Sequence, residues 1–124
     1  MSHGRDNTIR IEQLRCVSSQ LHQRFADLPK IIGGDFNAEL TSEEINLFMG
    51  GFGHEGRRFQ FAAPDRSMPQ GTWNGFCEKC TPALKIDHLF IREIDIETPA
   101  AAIHDQYNHQ WLSDHCPIIA TFSL

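Results

Sequence analysis

A short apolar segment that ends in two glycines, an aspartate and an asparagine constrains the fold of this chain most. Residues 30–40 read KIIGGDFNAEL, and the first five predict a short strand that is buried on both faces. Because side chains alternate in an extended segment, Asp35 and Asn37 are expected to point to one side and Phe36 to the other. Polar side chains at a strand end are typical of ligand sites in α/β folds. A plain turn after the glycines explains the same residues equally well, since a single short motif is a weak signal.

Helical and strand-like patterns surround this segment. Apolar residues recur at spacings of three or four before it, which predicts an amphipathic helix; they are Ile11, Leu14, Val17, Leu21 and Phe25. A second helix is predicted after the capping box Thr41-Ser-Glu-Glu44, and further strands are predicted over 83–91, 94–103 and 117–124. The 124 residues suit one domain, residues 1–124. This order predicts an α/β (α+β) fold in which helices cover one face of a mixed sheet.

Two more polar groups lie at predicted strand ends. Asp87 and His88 fall in KIDHLF, and Asp114 and His115 fall in LSDHCPI. A carboxylate beside a histidine fixes its tautomer and raises its basicity, which suits general acid/base chemistry on water or a phosphate ester. Converging carboxylates repel one another unless a divalent cation such as Mg²⁺ neutralises them. Asp114 and His115 can also be a loop pair that merely precedes Pro117.

Four segments in order resemble the carboxy-terminal half of the endonuclease/exonuclease/phosphatase family. They are IIGGDFNAEL, GTWNGF, KIDHLF and LSDHCPI. The family includes deoxyribonuclease I-like nucleases, abasic-site endonucleases, sphingomyelinases and inositol-polyphosphate 5-phosphatases. The resemblance implies half of the deoxyribonuclease I-like four-layer α/β sandwich. It also implies hydrolysis of a phosphodiester or phosphomonoester by in-line attack of water, with Mg²⁺ or Mn²⁺ as cofactor.

The resemblance assigns a catalytic role to four residues. Asp35 matches the aspartate that positions and polarises the attacking water, and Asn37 matches the asparagine that hydrogen-bonds the phosphate or that water. His115 matches the histidine that contacts the scissile phosphate and shares in proton transfer. Asp87 resembles the carboxylate that orients this histidine.

Two further residues receive binding roles from the resemblance. Asp114 resembles a metal-site carboxylate, and Trp73 lies near the substrate loop of the family. His3 matches the last histidine of a T-H-L-D-H pattern, although loop length varies there. The substrate class stays open among nucleic acid, phospholipid and inositol phosphate.

The resemblance also implies parts that these residues do not supply. Family members are usually roughly double this length, and their amino-terminal half provides an asparagine and a metal-binding glutamate. We therefore expect a truncated domain with an incomplete site. A lone half exposes the inner face of its sheet, so we expect a two-fold homodimer through that face. The residues expected to form it are Ile31, Ile86, Leu89, Ile118 and Ile119. The alternative is a non-catalytic remnant that acts as a self-associating or partner-binding module.

Composition restricts the compartment and the partners. The formal charge of −5 provides no broad basic field for duplex DNA. No apolar run is long enough to cross a bilayer, and the polar amino terminus is not a signal peptide. A cytoplasmic protein with four reduced cysteines is therefore expected. Cys77 and Cys80 form a C-x-x-C motif without a second copy, which argues against structural zinc and favours loop thiols or an adventitious disulfide.

Overall fold

The computed structural model describes residues 7–62 and 71–124. His3 and its predicted role lie outside these residues. The described elements are helices α1 (Thr8–Phe25) and α2 (Glu43–Met49) and strands β1 (Lys30–Asp35), β2 (Gln60–Phe61), β3 (Asp87–Arg92), β4 (Asp95–Ala102) and β5 (Ile118–Ser123). Two single-turn 3₁₀ helices, Gly51–Gly53 and Glu55–Arg57, follow α2. Each element predicted from the sequence pattern is present, with shifts of a few residues at the ends.

The described strands form two antiparallel sheets. One has the order β1-β3-β2, and the other pairs β4 with β5. The α/β class is confirmed, but the strands do not form the single mixed sheet that the pattern suggested. Among the strands that the structure describes, β1 pairs with β3 alone, and its Ile31 side chain is 50% exposed. The expectation that β1 is buried on both faces is therefore wrong, because β1 is an edge strand with one open face.

The helices cover the opposite face of the β1-β3-β2 sheet. An aromatic cluster fills the space between them, and the ring of Phe36 lies 5.2 Å from that of Phe90 and 5.9 Å from that of Phe48. Leu14 and Ile45 complete the fully buried centre of this core. Burying one such side chain contributes roughly 1.5–3 kcal/mol. Because this core holds the Phe36 side chain, the polar residues on either side of it are turned outward.

A buried ion pair joins the two helices. The buried positions of α1 are Arg10, Leu14 and Ser18, and Nε of Arg10 donates to Oε2 of Glu44 at 2.8 Å. Leu14 of the predicted apolar stripe is fully buried, whereas Val17 is 37% and Phe25 46% exposed, so only part of that stripe faces the core. Helix α2 begins one residue later than the capping box Thr41–Glu44 predicts, because its N-cap is Ser42 and not Thr41. The Ser42 hydroxyl accepts from the Ile45 amide at 3.3 Å.

The five residues predicted to form the dimer face differ in exposure. Ile31 and Ile119 are exposed, and Leu89 and Ile118 are half-buried. Ile86 is buried, and its amide donates to the Thr72 hydroxyl at 3.0 Å, so its side chain is not available to an exposed face.

Two further features concern membrane-spanning helices and the cysteines. No helix among the described residues is long and apolar enough to cross a membrane. Cys77 and Cys80 are joined in a disulfide, which is one of the two alternatives predicted for this pair and differs from the expectation that all four cysteines are reduced. Cys16 and Cys116 are free.

Candidate active site

The two predicted catalytic carboxylates face each other across a strand pair. Asp35 is the last residue of β1 and Asp87 the first residue of β3, and antiparallel pairing places them in direct register. The amide of Phe36 donates to the carbonyl of Ile86 at 2.9 Å, which continues the ladder just past the strand end. The sequence therefore brings two acidic side chains together at one end of the sheet.

His115 reaches these carboxylates from the loop before β5. Its Nδ1 donates to Oδ2 of Asp87 at 2.8 Å, and its Nε2 lies 3.7 Å from Oδ2 of Asp35. Ligand atoms of the three side chains all lie within 4.8 Å of one another. Three segments that are distant in sequence thus converge at one point.

This environment raises the pKa of His115 above its ordinary value of 6.5. The main cause is the hydrogen bond to Asp87, and the charges of Asp87, Asp35 and Asp114 act in the same direction. Partial burial of the ring opposes them. A protonated ring donates from Nδ1 to Asp87 and presents a second N–H at Nε2, beside Asp35.

Asn37 fixes the orientation of the Asp35 carboxylate. Its amide donates to Oδ1 of Asp35 at 2.8 Å, which leaves Oδ2 toward His115. Asn37 itself has φ of 50°, a left-handed conformation that asparagine tolerates better than most residues. The chain therefore leaves extended geometry right after Phe36, and the turn that was weighed as a plain explanation is part of the site.

The two predicted binding residues lie next to this group. Trp73 is 42% exposed, and its backbone pairs with His115 in an isolated bridge. Asp114 precedes His115, and its Oδ1 lies 3.5 Å from the Ser113 hydroxyl. Asp114 does not belong to the group formed by the other three ionisable residues, so its metal-binding role stays a prediction.

The donor chemistry of the group fits a hard divalent cation. Mg²⁺ is usually held by one or two carboxylates together with substrate oxygens and water. Oδ2 of Asp87 already accepts the hydrogen bond from His115, so Asp35, which is partly exposed, offers the more available oxygen. The structure therefore provides a candidate metal site with few protein ligands.

Two residues that the sequence did not single out hold these segments together. Thr72 is fully buried and Asn74 is 4% exposed, and both hydrogen-bond to the segments that carry Asp87 and His115. Both residues lie in the segment GTWNGF, where Thr72 and Asn74 stand on either side of Trp73. Alternation alone did not indicate which of them are buried.

His88 has a different role from its neighbour Asp87. It is 1% exposed, and its Nε2 donates to the carbonyl of Ala38 at 2.7 Å. Burial lowers its pKa, although nearby acidic groups and this hydrogen bond oppose the change. His88 therefore lies neutral in the core and holds the segment just beyond Asn37.

The site lies on an open part of the surface. A cleft of about 710 Å³ lies elsewhere, with Met49, Phe61 and Ile91 among its lining residues, and it contains none of Asp35, Asp87 or His115. This cleft is therefore separate from the candidate active site.

Comparison with known proteins identifies relatives of this arrangement. A sequence profile of the Endonuclease/Exonuclease/phosphatase family matches residues 4–115. No curated protein sequence gives a significant match.

Solved structures share the fold at low sequence identity. A conserved protein of unknown function from Enterococcus faecalis V583 is 22% identical with a TM-score of 0.78, covering 98% of this chain and 48% of its own. The mannosyl-6-phosphatase of Bacteroides thetaiotaomicron VPI-5482 is 20% identical with a TM-score of 0.78, and the match covers 98% of this chain and 49% of the phosphatase chain. TDP2 of D. rerio, solved with a single-strand DNA product, is 22% identical with a TM-score of 0.72, and the match covers 99% of this chain and 53% of the TDP2 chain. The chain spans about half the length of these structures.

Proposed function

Because the chain belongs to the endonuclease/exonuclease/phosphatase family, we propose that it provides a metal-dependent phosphoesterase site. The observation that carries this proposal is the pairing of His115 with Asp87 at 2.8 Å, with the other ring nitrogen 3.7 Å from Asp35. A carboxylate, an oriented imidazole and a second carboxylate are the parts that water attack on phosphorus needs.

Each residue has a distinct role in the proposed reaction. Asp35 orients the attacking water and accepts its proton as the oxygen bonds to phosphorus. His115, with both ring nitrogens protonated, contacts the phosphate through Nε2 and gives the Nε2 proton to the leaving oxygen as the bond from phosphorus to that oxygen breaks, so an alcohol departs. Asp87 accepts from Nδ1 and thereby orients and stabilises the protonated ring. Asn37 and Trp73 contact the substrate phosphate and the group attached to it.

Mg²⁺ or Mn²⁺ is the cofactor that we propose. Asp35 is the ligand that the geometry favours, and Asp114 is the second carboxylate that the family resemblance suggests. When bound, the cation neutralises charge on the phosphate oxygens. Two protein carboxylates leave room for a further ligand from another chain.

We propose that a second copy of this chain supplies the remaining ligands. Ile31, Gly33 and Asp35 alternate onto one face of β1, opposite Ile91, Leu89 and Asp87 of β3. The site and the half-exposed Ile31 therefore share a face, and the matched structures contain about one further chain length beyond the corresponding half.

Light scattering after size-exclusion chromatography tests the dimer. At micromolar concentration we expect about twice the chain mass of 14.1 kDa. Ile31→Glu should give the monomer, because it places a charge at the interface. Ile9→Glu is the matched control, since Ile9 is 61% exposed on α1, and it should leave the dimer intact. A wild-type monomer contradicts the proposal.

A substrate panel tests the enzymatic proposal. Bis-p-nitrophenyl phosphate, p-nitrophenyl phosphate and plasmid DNA distinguish diester, monoester and nucleic-acid hydrolysis, each with Mg²⁺, Mn²⁺ or EDTA. His115→Ala should lower the rate about 10²–10⁴-fold, the range for loss of a general acid/base. His54→Ala, an exposed histidine in the segment between the two 3₁₀ helices, should leave it unchanged. Equal rates in all three proteins would favour the non-catalytic module.

A further inference from the structure

We infer that Thr72 is a positioning residue that holds Asp87 and His115 at their working separation. The effect of Thr72 on catalysis that we infer rests on the proposed phosphoesterase function. Its structural part is independent of that function, because it concerns the hydrogen bonds that join two segments.

The Thr72 hydroxyl anchors the start of β3. Its Oγ1 accepts from the amide of Ile86 and from the amide of Asp87, each at 3.0 Å. Thr72 is fully buried, so water cannot replace these bonds without a structural change. Two acceptor lone pairs are available on a hydroxyl oxygen, and two amides use them. The backbone of Asp87 is thereby fixed by a side chain outside the sheet.

The backbone of the same residue anchors the loop that carries the histidine. The carbonyl of Thr72 accepts from the amide of Cys116 at 2.6 Å, one residue past His115. Trp73 then pairs with His115 through the isolated bridge. A single residue thus ties the Asp87 backbone through its side chain and the His115 loop through its main chain.

Asn74 holds the other side of that loop. Its Nδ2 donates to the carbonyl of Ser113 at 2.9 Å, and its amide donates to the carbonyl of Asp114 at 2.8 Å. The loop therefore keeps its overall path when the Thr72 hydroxyl is removed. This makes Thr72 testable by substitution, because the expected change is a local displacement of Asp87.

Valine and serine separate the two properties of the Thr72 side chain. Thr72→Val keeps the shape but leaves the amides of Ile86 and Asp87 buried without an acceptor. Thr72→Ser keeps the oxygen and removes one methyl group. Ile45→Val is the matched stability control, since Ile45 is fully buried in α2 and its truncation also destabilises the fold.

The experiment combines kinetics with a structural readout. For bis-p-nitrophenyl phosphate with Mg²⁺, Thr72→Val should lower kcat about 10- to 100-fold with KM nearly unchanged, the effect of a misplaced catalytic group. Thr72→Ser should restore most of kcat, and Ile45→Val should lower Tm without lowering kcat. Hydrogen exchange by NMR should show faster exchange of the Ile86 and Asp87 amides in Thr72→Val alone.

The outcomes separate this inference from the proposed function. An inactive wild-type protein defeats the proposed function, and the exchange rates then decide the structural part by themselves. Unchanged exchange at Asp87 in Thr72→Val, or a loss of kcat in Ile45→Val equal to that in Thr72→Val, overturns the inference.

Discussion

His115 donates a 2.8 Å hydrogen bond from Nδ1 to Oδ2 of Asp87, across 28 positions of sequence. The bond fixes the ring so that Nε2 points toward Oδ2 of Asp35, 3.7 Å away. The last distance exceeds that of a direct hydrogen bond, so Nε2 of His115 and Oδ2 of Asp35 lie close together without being hydrogen-bonded to each other. The site is thus arranged around an oriented imidazole.

Replacing Asp87 should lower the pKa of His115. The hydrogen bond and charge of Asp87 are the main cause of the raised value, so Asp87→Asn should move it back toward 6.5. Because the folded pKa lies above the unfolded one, this pairing stabilises the protein fully below pH 6.5, and the contribution is lost as pH rises through the folded pKa. Titration of the ring by NMR measures the shift. A pKa of His115 that is equal in both proteins would show that Asp87 does not act on it.

His88 should make the folded protein less stable as pH falls, which is opposite to the effect of His115. Its pKa is lowered by burial, so its contribution to stability is present above pH 6.5 and is lost as pH falls toward the folded pKa. One proton corresponds to at most about 1.4 kcal/mol per pH unit. Urea unfolding between pH 7.5 and 5.5 should show a smaller pH dependence for His88→Gln than for wild type. His54→Ala, which changes an exposed ring, should keep the wild-type dependence; an unchanged slope in His88→Gln argues against a neutral core histidine.

Removal of one partner of the ion pair between α1 and α2 should lower the free energy of unfolding. Burial raises the pKa of Glu44, but hydrogen bonds from the backbone, Arg10 and Ser42 outweigh it and lower the value. Glu44→Ala leaves the buried Arg10 charge without its carboxylate and should cost about 3–5 kcal/mol. The double variant Arg10→Met/Glu44→Leu should recover most of this loss. Urea unfolding compares them, and a single variant that is no less stable than the double one contradicts the account.

Gly71 and Gly33 should respond differently to alanine. A Cβ at Gly71 would lie 2.5 Å from the amide nitrogen of Ala83 and from the carbonyl carbon of Pro82, and backbone cannot move easily. A Cβ at Gly33 would lie 2.6 Å from Cδ2 of Leu89, the end of a flexible side chain. Gly71→Ala should therefore lower Tm by several degrees more than Gly33→Ala, as a shift of about 4–8 °C per kcal/mol implies. Scanning calorimetry measures both, and equal Tm values would contradict the packing around Gly71.

Sequence reasoning was most successful where chemistry and periodicity agreed. The pattern that predicted β1, α2 and the later strands also placed Asp35, Asp87 and His115 at element ends, and the structure brings these three together. Asn37 has a left-handed conformation at the end of β1, which the alternation of side chains in a strand does not indicate. The roles of Asp35, Asn37, Asp87, His115, Asp114 and Trp73 in catalysis or binding stay predictions.

Contacts between residues far apart in the sequence determine the features that local sequence patterns do not predict. The buried Arg10–Glu44 pair joins α1 to α2, and its two members are 34 positions apart. The Thr72 side chain bonds residues that are 14 and 15 positions away, so its burial depends on contacts that no local pattern indicates. The division of the strands into two antiparallel sheets likewise follows from pairing partners, which strand propensity does not specify.

The most direct test of the phosphoesterase proposal is the rate of bis-p-nitrophenyl phosphate hydrolysis by Asp35→Asn. The substitution keeps the shape of the side chain and removes the charge that faces Nε2 of His115. Asp95→Asn removes the same charge from an exposed position on β4 and serves as the matched control. With saturating Mg²⁺ we predict that Asp35→Asn loses about 10²–10⁴-fold in rate while Asp95→Asn equals wild type. Equal rates for all three proteins would contradict a catalytic role for this group of residues.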